Sequence, residues 1–430
     1  MRTTQKKRIT SLNEIKRRIL SWAQQFEEVV WLDSNAFNDN YSSFKAVLAV
    51  DAFTAIKTDS YQAFDKLEEY QTTTKDWLFG YLTYDLKNDV EKLSSVNFDG
   101  LHFPDLQFFQ PKKIFFFSDS EVEIQYLNMV DDEVDSDWET ILQMSPFKTT
   151  TNTKEIKIRL RTSKDSYFDK VEQMLKHIER GDIYEANFCQ EFFAEKTAID
   201  PLSVFNHLNE ISQSPFASFL KFDAHYALSA SPERYLKKTG NIVVSQPIKG
   251  TAKRLPTVSE DIQMIEQLEN DPKERSENIM ITDLVRNDLS RIAKKGTVTV
   301  EELCKIYTFE QVHQMISTIR CEVKDTVSSV EIIKNSFPMG SMTGAPKVSA
   351  MKIIEELEDA KRGLYSGAVG YFTPNGDFDF NVVIRSILYN TANKYVSFSV
   401  GGAITAKSIV ENEYEECLLK AKAMRTVLET

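Results

Sequence analysis

The sequence is poor in cysteine, has no long apolar run and carries no glycine-rich phosphate loop. Its four cysteines lie far apart with no C-x-x-C spacing: Cys189, Cys304, Cys321 and Cys417. This spacing predicts neither a zinc site nor a disulfide framework, so we expect reduced thiols that fill the core. No run of about 18 apolar residues occurs, so no transmembrane helix is predicted. Because both common phosphate-loop patterns are missing, a nucleotide-binding fold is unsupported.

Positive charge is also scarce. The chain has 52 Lys and Arg against 64 Asp and Glu, which gives a net charge of −12. Such a chain has no general attraction for nucleic acid or for an anionic membrane, and an anionic substrate would need a local basic site. The basic segment Met1–Arg18 is not followed by an apolar signal core. We therefore expect a cytoplasmic protein.

The residues that are present indicate a large soluble protein of the α+β class. The 430 residues, 42% of them hydrophobic, suffice for a large core in two subdomains or in one composite body. A capping box at Ser11–Glu14 predicts a first helix, and residues 113–117 and 121–127 are predicted to form a hairpin. Strands follow one another in runs, and so do helices, which favours antiparallel sheets.

Two polar segments are typical of a surface linker. They are the acidic residues 131–137 and the threonine-rich residues 148–154. We therefore place a soft domain boundary near residue 150, between an amino-terminal part of residues 1–150 and a second part of residues 151–430.

Lys249 occupies an unusual place in the chain. A β-type run leads into the segment, Pro247 stiffens the backbone before Lys249, and Gly250 allows a sharp turn directly after it. The stem of such a lysine has little freedom, and the glycine leaves space for another molecule to approach. Most lysines of this kind are solvated loop charges, so the segment alone leaves a functional interpretation open.

Two pairs of glutamates lie on two predicted helices. Glu274 and Glu277 are i, i+3 neighbours on a helix that starts at Pro272, and Glu413 and Glu416 have the same spacing near the C-terminus. Carboxylates on two helices are the oxygen ligands that Mg²⁺ takes, together with water and substrate groups. Glutamates at this spacing are more often a solvated helix face, and the spacing does not decide between the two interpretations.

Three features predict the binding of a small dianion. A glycine-rich turn at residues 339–347 opens a predicted helix, whose free N–H groups are suited to anions. Arg385 lies within a predicted apolar strand, which is costly unless its guanidinium is paired, for instance with a ligand carboxylate. Gly401 and Gly402 offer backbone N–H groups at close approach.

Several segments together resemble the chorismate-utilising enzymes, a family that includes anthranilate, aminodeoxychorismate, isochorismate and salicylate synthases. The resemblance is strong over about residues 160–425 and weaker before them. It implies an anthranilate synthase component I-like fold, with two large, mainly antiparallel sheets packed between helices and a chorismate-binding second part. The segments are SASPERYL (229–236), PIKGTAKR (247–254), SENIMITDLVRNDLSR (276–291), GSMTGAPKVSAMKIIEELE (340–358), GLYSGAVGY (363–371) and ENEYEE (411–416).

Within this family the residue at position 249 helps to divide the activities. Anthranilate and isochorismate synthases typically carry alanine there, whereas the aminodeoxychorismate synthases, which are transaminase-class enzymes, carry lysine. The resemblance implies that Lys249 attacks C2 of chorismate and expels the C4 hydroxyl, after which ammonia adds at C4 to give 4-amino-4-deoxychorismate. It implies that Glu233 is the general acid that protonates the departing hydroxyl.

The resemblance also implies a magnesium site and a substrate-binding set. Glu277 and Glu416 match the main Mg²⁺ ligands, and Glu274 and Glu413 match their partners. From the residues alone, His313 would be a hydrogen-bonded core histidine, but it falls on a family site position. The groups expected to hold chorismate are Arg385, Tyr365, Lys420, Ser341, His313, Thr251, Gly401, Gly402 and Ala403.

Glu185 departs from the family pattern. Isochorismate and salicylate synthases carry a lysine base at this position and many amidotransferase-linked members carry glutamine, so water addition at C2 is disfavoured. The role of Glu185 stays open, as does tryptophan binding near Ser34, where relatives bind that amino acid.

No cysteine lies in a G-x-C-x-G nucleophile turn, so we expect no glutaminase domain in this chain. Ammonia would come from a separate glutamine amidotransferase subunit, or directly from ammonium, for p-aminobenzoate and folate synthesis. Two alternatives are an anthranilate synthase component I and a catalytically silent scaffold that binds chorismate or tryptophan. Lys249 argues against the first, and Lys249, Glu233 and the glutamate pairs argue against the second.

Overall fold

The computed structural model describes residues 1–37, 40–145 and 156–429. These ranges contain twenty strands, β1 to β20: Arg2–Arg8, Glu28–Asp33, Ala46–Thr58, Leu78–Leu82, Leu106–Phe117, Glu121–Leu127, Arg159–Leu160, Glu185–Ala194, Phe216–Phe222, His225–Ser231, Arg234–Thr239, Ile242–Gln246, Ile248–Lys253, Thr299–Thr308, Val312–Glu322, Gly344–Ala345, Ala368–Phe372, Phe378–Val382, Ser386–Asn390 and Tyr395–Thr405.

The same ranges contain eleven α-helices, α1 to α11: Leu12–Ala23, Ala63–Thr74, Lys87–Val90, Val134–Gln143, Lys164–Glu179, Pro201–Ser212, Val258–Asn270, Pro272–Ser290, Ser329–Ser336, Lys347–Leu357 and Val410–Glu429. Three 3₁₀ turns lie at Tyr84–Leu86, Asp131–Glu133 and Gly340–Met342. None of the helices in these ranges has both the length and the apolar character needed to cross a bilayer.

The predicted α+β class is confirmed. Every pairing between the named strands is antiparallel. The expected two sheets are hydrogen-bonded to one another, so that all twenty strands share one network. Strands from before and after residue 150 pair directly, β2 with β9 and β4 with β17. The boundary near residue 150 stays a prediction, and the predicted linker at 148–154 lies outside the described residues.

Local sequence signals explain several element ends. The Ser11 hydroxyl caps α1 by accepting a hydrogen bond from the Glu14 N–H, as the capping box predicted. The predicted hairpin is present as β5 and β6, with Lys113 opposite Tyr126. Helix α5 ends before Gly181, whose φ of 84° lies in the left-handed region that glycine adopts without strain.

The acidic segment 131–137 is not a linker, contrary to the prediction. It forms the second 3₁₀ turn and the first turn of α4, which buries Val134, Trp138 and Ile141. These apolar residues are spaced by four and three, as one helix face requires, and the acidic residues between them obscured that pattern. The acidic groups are also used in the fold, because Asp137 pairs with the Lys113 ammonium at 2.6 Å.

Two hydrophobic cores lie on opposite faces of the strands. In β2, Trp31 belongs to the core that includes residues of α1, α5, α6 and α11, whereas its neighbour Val30 belongs to the other core. Leu48 and Val47 of β3 divide in the same way, as the alternation of side chains along a strand requires. Helix α8 packs on β13 and β15, and α11 packs on β20. The first contact brings the predicted glutamates of α8 to the strand that carries Lys249.

A buried ion pair ties α1 to β2. The Lys16 ammonium lies 2.7 Å from Oδ1 of Asp33, and the two side chains are 11% and 7% exposed. Oδ1 of Asp33 also accepts a hydrogen bond from the backbone N–H of Asn35. A pair with so little water around it depends on both partners, because either charge alone would be left buried.

We predict that Lys16→Met lowers the free energy of unfolding by about 3 kcal/mol, since it leaves the Asp33 carboxylate buried without its cation. Urea denaturation measures this change. Lys6→Met is the matched control, because the Lys6–Glu121 pair is exposed, and its unfolding free energy should stay near that of the wild type. Equal effects of the two substitutions would contradict the role given to the buried pair.

Candidate active site

Lys249 is placed by a bulge in strand β13. The register between β13 and β15 slips between Ile248 and Thr251, so Lys249 and Gly250 bulge from the ladder. Gly250 has a φ of 95°, and a Cβ at this position would lie 3.2 Å from Oε2 of Glu274. The bulge therefore needs glycine both for its backbone angle and for the close approach of α8. In place of the sharp turn predicted after Lys249 there is this bulge, and strand β13 continues to Lys253.

Carboxylates surround the Lys249 ammonium. The nearest is Glu185, whose Oε1 lies 3.6 Å from Nζ of Lys249. Burial lowers the pKa of Lys249, but attraction to Glu185, Glu277, Glu233 and Glu416 outweighs burial and raises it above the usual range. Lys249 is therefore an ammonium ion at neutral pH in the protein alone, and any reaction as a nucleophile requires that it lose a proton.

Glu233 is a buried carboxyl group that is suited to proton donation. It directly precedes β11, is 4% exposed, and accepts a hydrogen bond of 2.6 Å from the Ser341 hydroxyl. Burial raises its pKa to about 7, against smaller opposing effects of Ser341 and Lys249. A carboxyl group with a pKa near neutrality holds its proton for part of the time and is effective as a general acid.

The two glutamate pairs face one another across the ends of α8 and α11. The Lys273 ammonium lies between them, 3.9 Å from Oε1 of Glu277 and 3.5 Å from Oε1 of Glu413. Neither of these two buried oxygens receives a hydrogen bond from any described residue. Burial raises the pKa of Glu277 to about 7, in opposition to Lys249 and Lys273. Both oxygens therefore have the Lys273 ammonium as a shared neighbouring charge but no hydrogen-bond donor among the described residues.

These residues fit a divalent cation that uses few protein ligands. The described part of the chain has one group of three acidic, histidine or cysteine side chains whose ligand atoms all lie within 4.8 Å of one another. That group is Glu27, Glu28 and Asp223. The glutamates on α8 and α11 thus form no closed cage of three or more ligands. Mg²⁺ needs no such cage, because it binds one or two carboxylates and keeps several waters. The absence of a side chain at Gly402 preserves space beside Glu413 and Glu416, since a Cβ there would lie 3.3 Å and 3.6 Å from their oxygens.

Two cationic side chains also line the cavity. Arg385 is not inside a strand, as was predicted, but in the break between β18 and β19 with a φ of 53°. Its half-buried guanidinium donates a hydrogen bond of 3.4 Å to the carbonyl of Lys420, and partial burial lowers its pKa. The Lys420 ammonium donates to the carbonyl of Gly401 at 2.8 Å and pairs with Glu416 at 2.6 Å. No described carboxylate lies within 4.0 Å of Arg385, which leaves its charge available to a ligand.

These groups line one cavity of about 580 Å³. The cavity is therefore large enough for a small polar molecule and is lined by both carboxylates and cations. The predicted site residues among its lining are Glu233, Lys249, Thr251, Glu274, Glu277, Ser341, Tyr365, Arg385, Gly401, Ala403, Glu413, Glu416 and Lys420.

Two predicted site residues do not line the cavity. The lining includes Val312 and Gln314 of β15, so the alternation of the strand turns His313 to its other face. There the His313 ring is fully buried, with Nε2 2.8 Å from Oδ1 of Asp261 and Nδ1 2.9 Å from the Thr308 hydroxyl. Gly402 also lies outside the lining, although its Cα faces the glutamates of α11.

The glycine-rich turn contributes a side chain to the cavity, and not the free N–H groups of a helix start that the sequence predicted. Within residues 339–347 the cavity lining includes Ser341 and Met342, but not the first residue of α10. That residue, Lys347, pairs with Asp288 at 2.6 Å. The hydroxyl of Ser341, rather than the start of a helix, is thus what this segment offers to the cavity.

Two residues of the site were not predicted. Lys273 bridges the glutamates, and the side-chain amide of Asn278 donates to the backbone carbonyl of Lys249 at 3.2 Å. Lys273 precedes Glu277 by four residues, a spacing that predicts side-chain contact on a helix. Asn278 carries no comparable signal, because its partner is a backbone group 29 residues away.

The comparisons with known proteins agree with this geometry. A sequence profile of the family described as chorismate binding enzyme matches residues 23–426. The chain is 42% identical over 264 residues to the chloroplastic aminodeoxychorismate synthase of Arabidopsis thaliana, which covers 61% of this chain but 28% of that protein. This chain is also 32% identical to aminodeoxychorismate synthase component 1 of Escherichia coli strain K12. That alignment covers 86% of this chain and 81% of the relative.

Among solved structures, anthranilate synthase component I from Streptococcus pneumoniae TIGR4 matches with a TM-score of 0.79 at 24% identity. The match covers 90% of this chain and 93% of that chain. At this identity the match supports the fold alone, and it confirms the anthranilate synthase component I-like fold.

We predict that Glu233→Gln stabilises the protein at alkaline pH. Because the folded state holds the proton of Glu233 up to about pH 7, the contribution of this group to stability falls as the pH rises from about 4.5, the unfolded value, to 7. Relative to the wild type, the variant should gain up to about 3 kcal/mol of unfolding free energy at pH 8 and almost nothing at pH 4.

Urea unfolding at the two pH values measures this difference. Glu269→Gln is the matched control, because that side chain is exposed on α7, and its difference from the wild type should not vary with pH. A Glu233→Gln variant whose stability gain is the same at both pH values would argue against a buried, protonated Glu233.

Proposed function

Because this chain belongs to the family of chorismate binding enzymes, we propose that it replaces the C4 hydroxyl of chorismate by ammonia and so forms 4-amino-4-deoxychorismate. The observation that carries this proposal is Lys249, a lysine with a 13% exposed side chain that a bulge holds in the same cavity as the carboxyl group of Glu233. The relatives named aminodeoxychorismate synthase support the choice within the family. The chain spans 28% of the length of the Arabidopsis protein, so the proposal concerns this chain alone.

In the proposed reaction, Lys249 and Glu233 act on the ring. The neutral amine of Lys249 attacks C2, the ring double bond shifts, and the C4–O bond breaks. Glu233 gives its proton to the leaving hydroxyl, which departs as water. Ammonia then forms a bond to C4, the C2–N bond breaks, and the electron pair returns to Lys249.

The cationic groups of the cavity would bind the carboxylates of chorismate, together with the metal ion described below. Arg385 is suited to a bidentate contact, because it lines the cavity and no described carboxylate lies within 4.0 Å of it. Lys420, the hydroxyls of Tyr365, Ser341 and Thr251, and the N–H groups of Gly401 to Ala403 lie within or beside the same cavity as further donors. His313 takes no part in this proposal, since its ring is directed away from the cavity.

Glu277 and Glu416, with Glu274 and Glu413 as partners, would hold Mg²⁺. The unsatisfied buried oxygens of Glu277 and Glu413 support this assignment. When bound, Mg²⁺ would neutralise part of the charge of the ring carboxylate and so help to orient the substrate. Lys273, which lies between those oxygens in the protein alone, would move aside.

Ammonia would reach the enzyme from a separate glutamine amidotransferase subunit, or directly from ammonium at high concentration. The product belongs to p-aminobenzoate and folate synthesis, and the reaction is of the transaminase class. A cytoplasmic location fits these substrates.

The test is to identify the product. The purified chain is mixed with chorismate, Mg²⁺ and excess ammonium, and the products are identified by mass spectrometry and ultraviolet spectra. We predict 4-amino-4-deoxychorismate without pyruvate for the wild type, and at least a hundredfold loss for Lys249→Ala, because the nucleophile is gone. Lys305→Ala is the control, because the Lys305 side chain is exposed on β14, and this variant should behave as the wild type.

Two other results of this experiment would contradict the proposed function. Anthranilate together with pyruvate would assign the protein to amination at C2 and would remove the role of Lys249. No turnover, even when a glutaminase partner is added, would support the silent scaffold instead.

We also predict that Glu277→Gln weakens Mg²⁺ binding at least tenfold, because an amide oxygen carries no net charge to attract the cation. Calorimetric titration of Mg²⁺ into the protein measures this without any turnover. Glu266→Gln, exposed on α7, is the control and should bind Mg²⁺ as the wild type does. Unchanged affinity in Glu277→Gln would exclude Glu277 from the metal site.

A further inference from the structure

Glu185 is a buried carboxylate beside the nucleophile that the proposed reaction has not yet used. It is the first residue of β8 and is 1% exposed. Its backbone pairs on one side with Ala345 of β16 and on the other with Thr405 of β20. The carboxylate is therefore anchored by two neighbouring strands and has little freedom to leave the site.

The contacts of Glu185 differ from those of the other carboxylates around Lys249. Glu233 accepts a hydrogen bond from Ser341, and Glu416 pairs with Lys420. Among the described residues, Lys249 is the one cation within 4.0 Å of Glu185, at 3.6 Å. The second oxygen, Oε2, is buried and receives no hydrogen bond from any described residue. Lys249 is thus the one cation that Glu185 contacts among the described residues, and the second oxygen of Glu185 is without a hydrogen bond from them.

The proposed reaction requires a proton acceptor for Lys249, and this chain has a carboxylate at the position where many amidotransferase-linked family members carry glutamine. Lys249 carries a proton in the protein alone, and an ammonium ion cannot attack carbon because its electron pair is bound to hydrogen. The charged and titratable groups that interact with Lys249 are Glu185 from β8, Glu233 from the segment before β11, Glu274 and Glu277 from α8, and Glu416 from α11. Glu233 must hold its own proton for the leaving hydroxyl, and Glu274, Glu277 and Glu416 belong to the proposed magnesium site. Glu185 remains, and it is also the nearest.

We propose that Glu185 is the base that takes the proton from the Lys249 ammonium and so frees the amine to attack, and that it returns the proton when the amine leaves. This inference rests on the function proposed above. Burial favours the proton transfer, because the ammonium–carboxylate pair needs water more than the amine–carboxylic acid pair does. Accordingly, burial raises the pKa of Glu185 and acts to lower the pKa of Lys249. A substrate that fills the cavity would exclude more water and favour the neutral pair further.

The protons balance over the cycle. The Lys249 ammonium and the Glu185 carboxylate become an amine and a carboxylic acid. The amine bonds to C2 while Glu233 protonates the departing hydroxyl, and ammonia later displaces the amine. Glu233 regains a proton from the new C4 ammonium group, and Glu185 returns its proton to Lys249. Chorismate and ammonia have then become 4-amino-4-deoxychorismate and water, and every side chain is as it began.

Glu185→Gln and Glu185→Asp separate this role from a structural one. Glutamine keeps the shape but cannot accept the proton, whereas aspartate keeps the charge in a shorter side chain. We expect the turnover of chorismate with ammonium to fall about a hundredfold in Glu185→Gln and less in Glu185→Asp. A side chain that only fills space would give the opposite order.

A second readout follows Lys249 itself. The protein is treated with acetic anhydride over a range of pH, and the modification of Lys249 is measured by peptide mass spectrometry. Removal of the neighbouring negative charge should lower the pKa of Lys249, so Glu185→Gln should be modified faster at neutral pH while it turns over more slowly. A general disturbance of the site would slow both.

The control is Glu195→Gln. Glu195 lies just after the end of β8, its ion pair with Arg159 is exposed, and the variant should match the wild type in both measurements.

Equal or faster turnover of Glu185→Gln would overturn the base role, and so would a Glu185→Asp variant slower than Glu185→Gln. If the wild type forms no 4-amino product, the proposed function fails and the base role falls with it. If the wild type forms that product and Glu185→Gln keeps pace, the base role alone is wrong.

Discussion

The electrostatic balance around one buried ammonium ion governs this structure. Lys249 lies inside the protein, where an unpaired charge is costly, and the carboxylates that balance it come from β8, α8, α11 and the segment before β11. These elements are distant in sequence, so the charge balance exists only when the whole second part of the chain is folded. Two buried carboxylate oxygens of the site, on Glu277 and Glu413, receive no hydrogen bond from any described residue. The site is thus suited to a further cation and, beside Arg385, to an anion.

The backbone around Lys249 serves this balance. A regular strand would direct successive side chains to opposite faces, and Lys249 would follow the alternation of its neighbours. The bulge at Lys249 and Gly250 breaks the alternation and also removes a side chain where α8 comes closest. Asn278 of α8 then fixes the same bulge by donating to the carbonyl of Lys249. One glycine therefore allows both the placement of the lysine and the approach of the helix that carries its counter-charges.

The sequence was sufficient to predict features that depend on local residue order. Pro247 and Gly250 around Lys249, the glutamates spaced by three, and the capping box at Ser11 all act within one turn or one strand, and the α+β class follows from the order of such elements. Features that depend on which face of a strand meets the cavity were not predictable. His313 was misplaced because strand alternation, set by a register more than 60 residues away in β13, decides its direction. Arg385 was assigned to a strand because its apolar neighbours conceal the break.

Different partners give the chemically identical carboxyl groups around Lys249 different tasks. Glu233 and Glu185 are both buried, and burial raises the pKa of each. Glu233 accepts a hydrogen bond from the Ser341 hydroxyl, whereas Glu185 has the lysine itself as its cation and keeps one oxygen free. A group that is hydrogen-bonded and titrates near pH 7 is suited to give a proton, and a group bound to an ammonium is suited to take one. Two proton transfers, one at the nucleophile and one at the leaving group, can therefore proceed around the same lysine without competing for the same carboxylate.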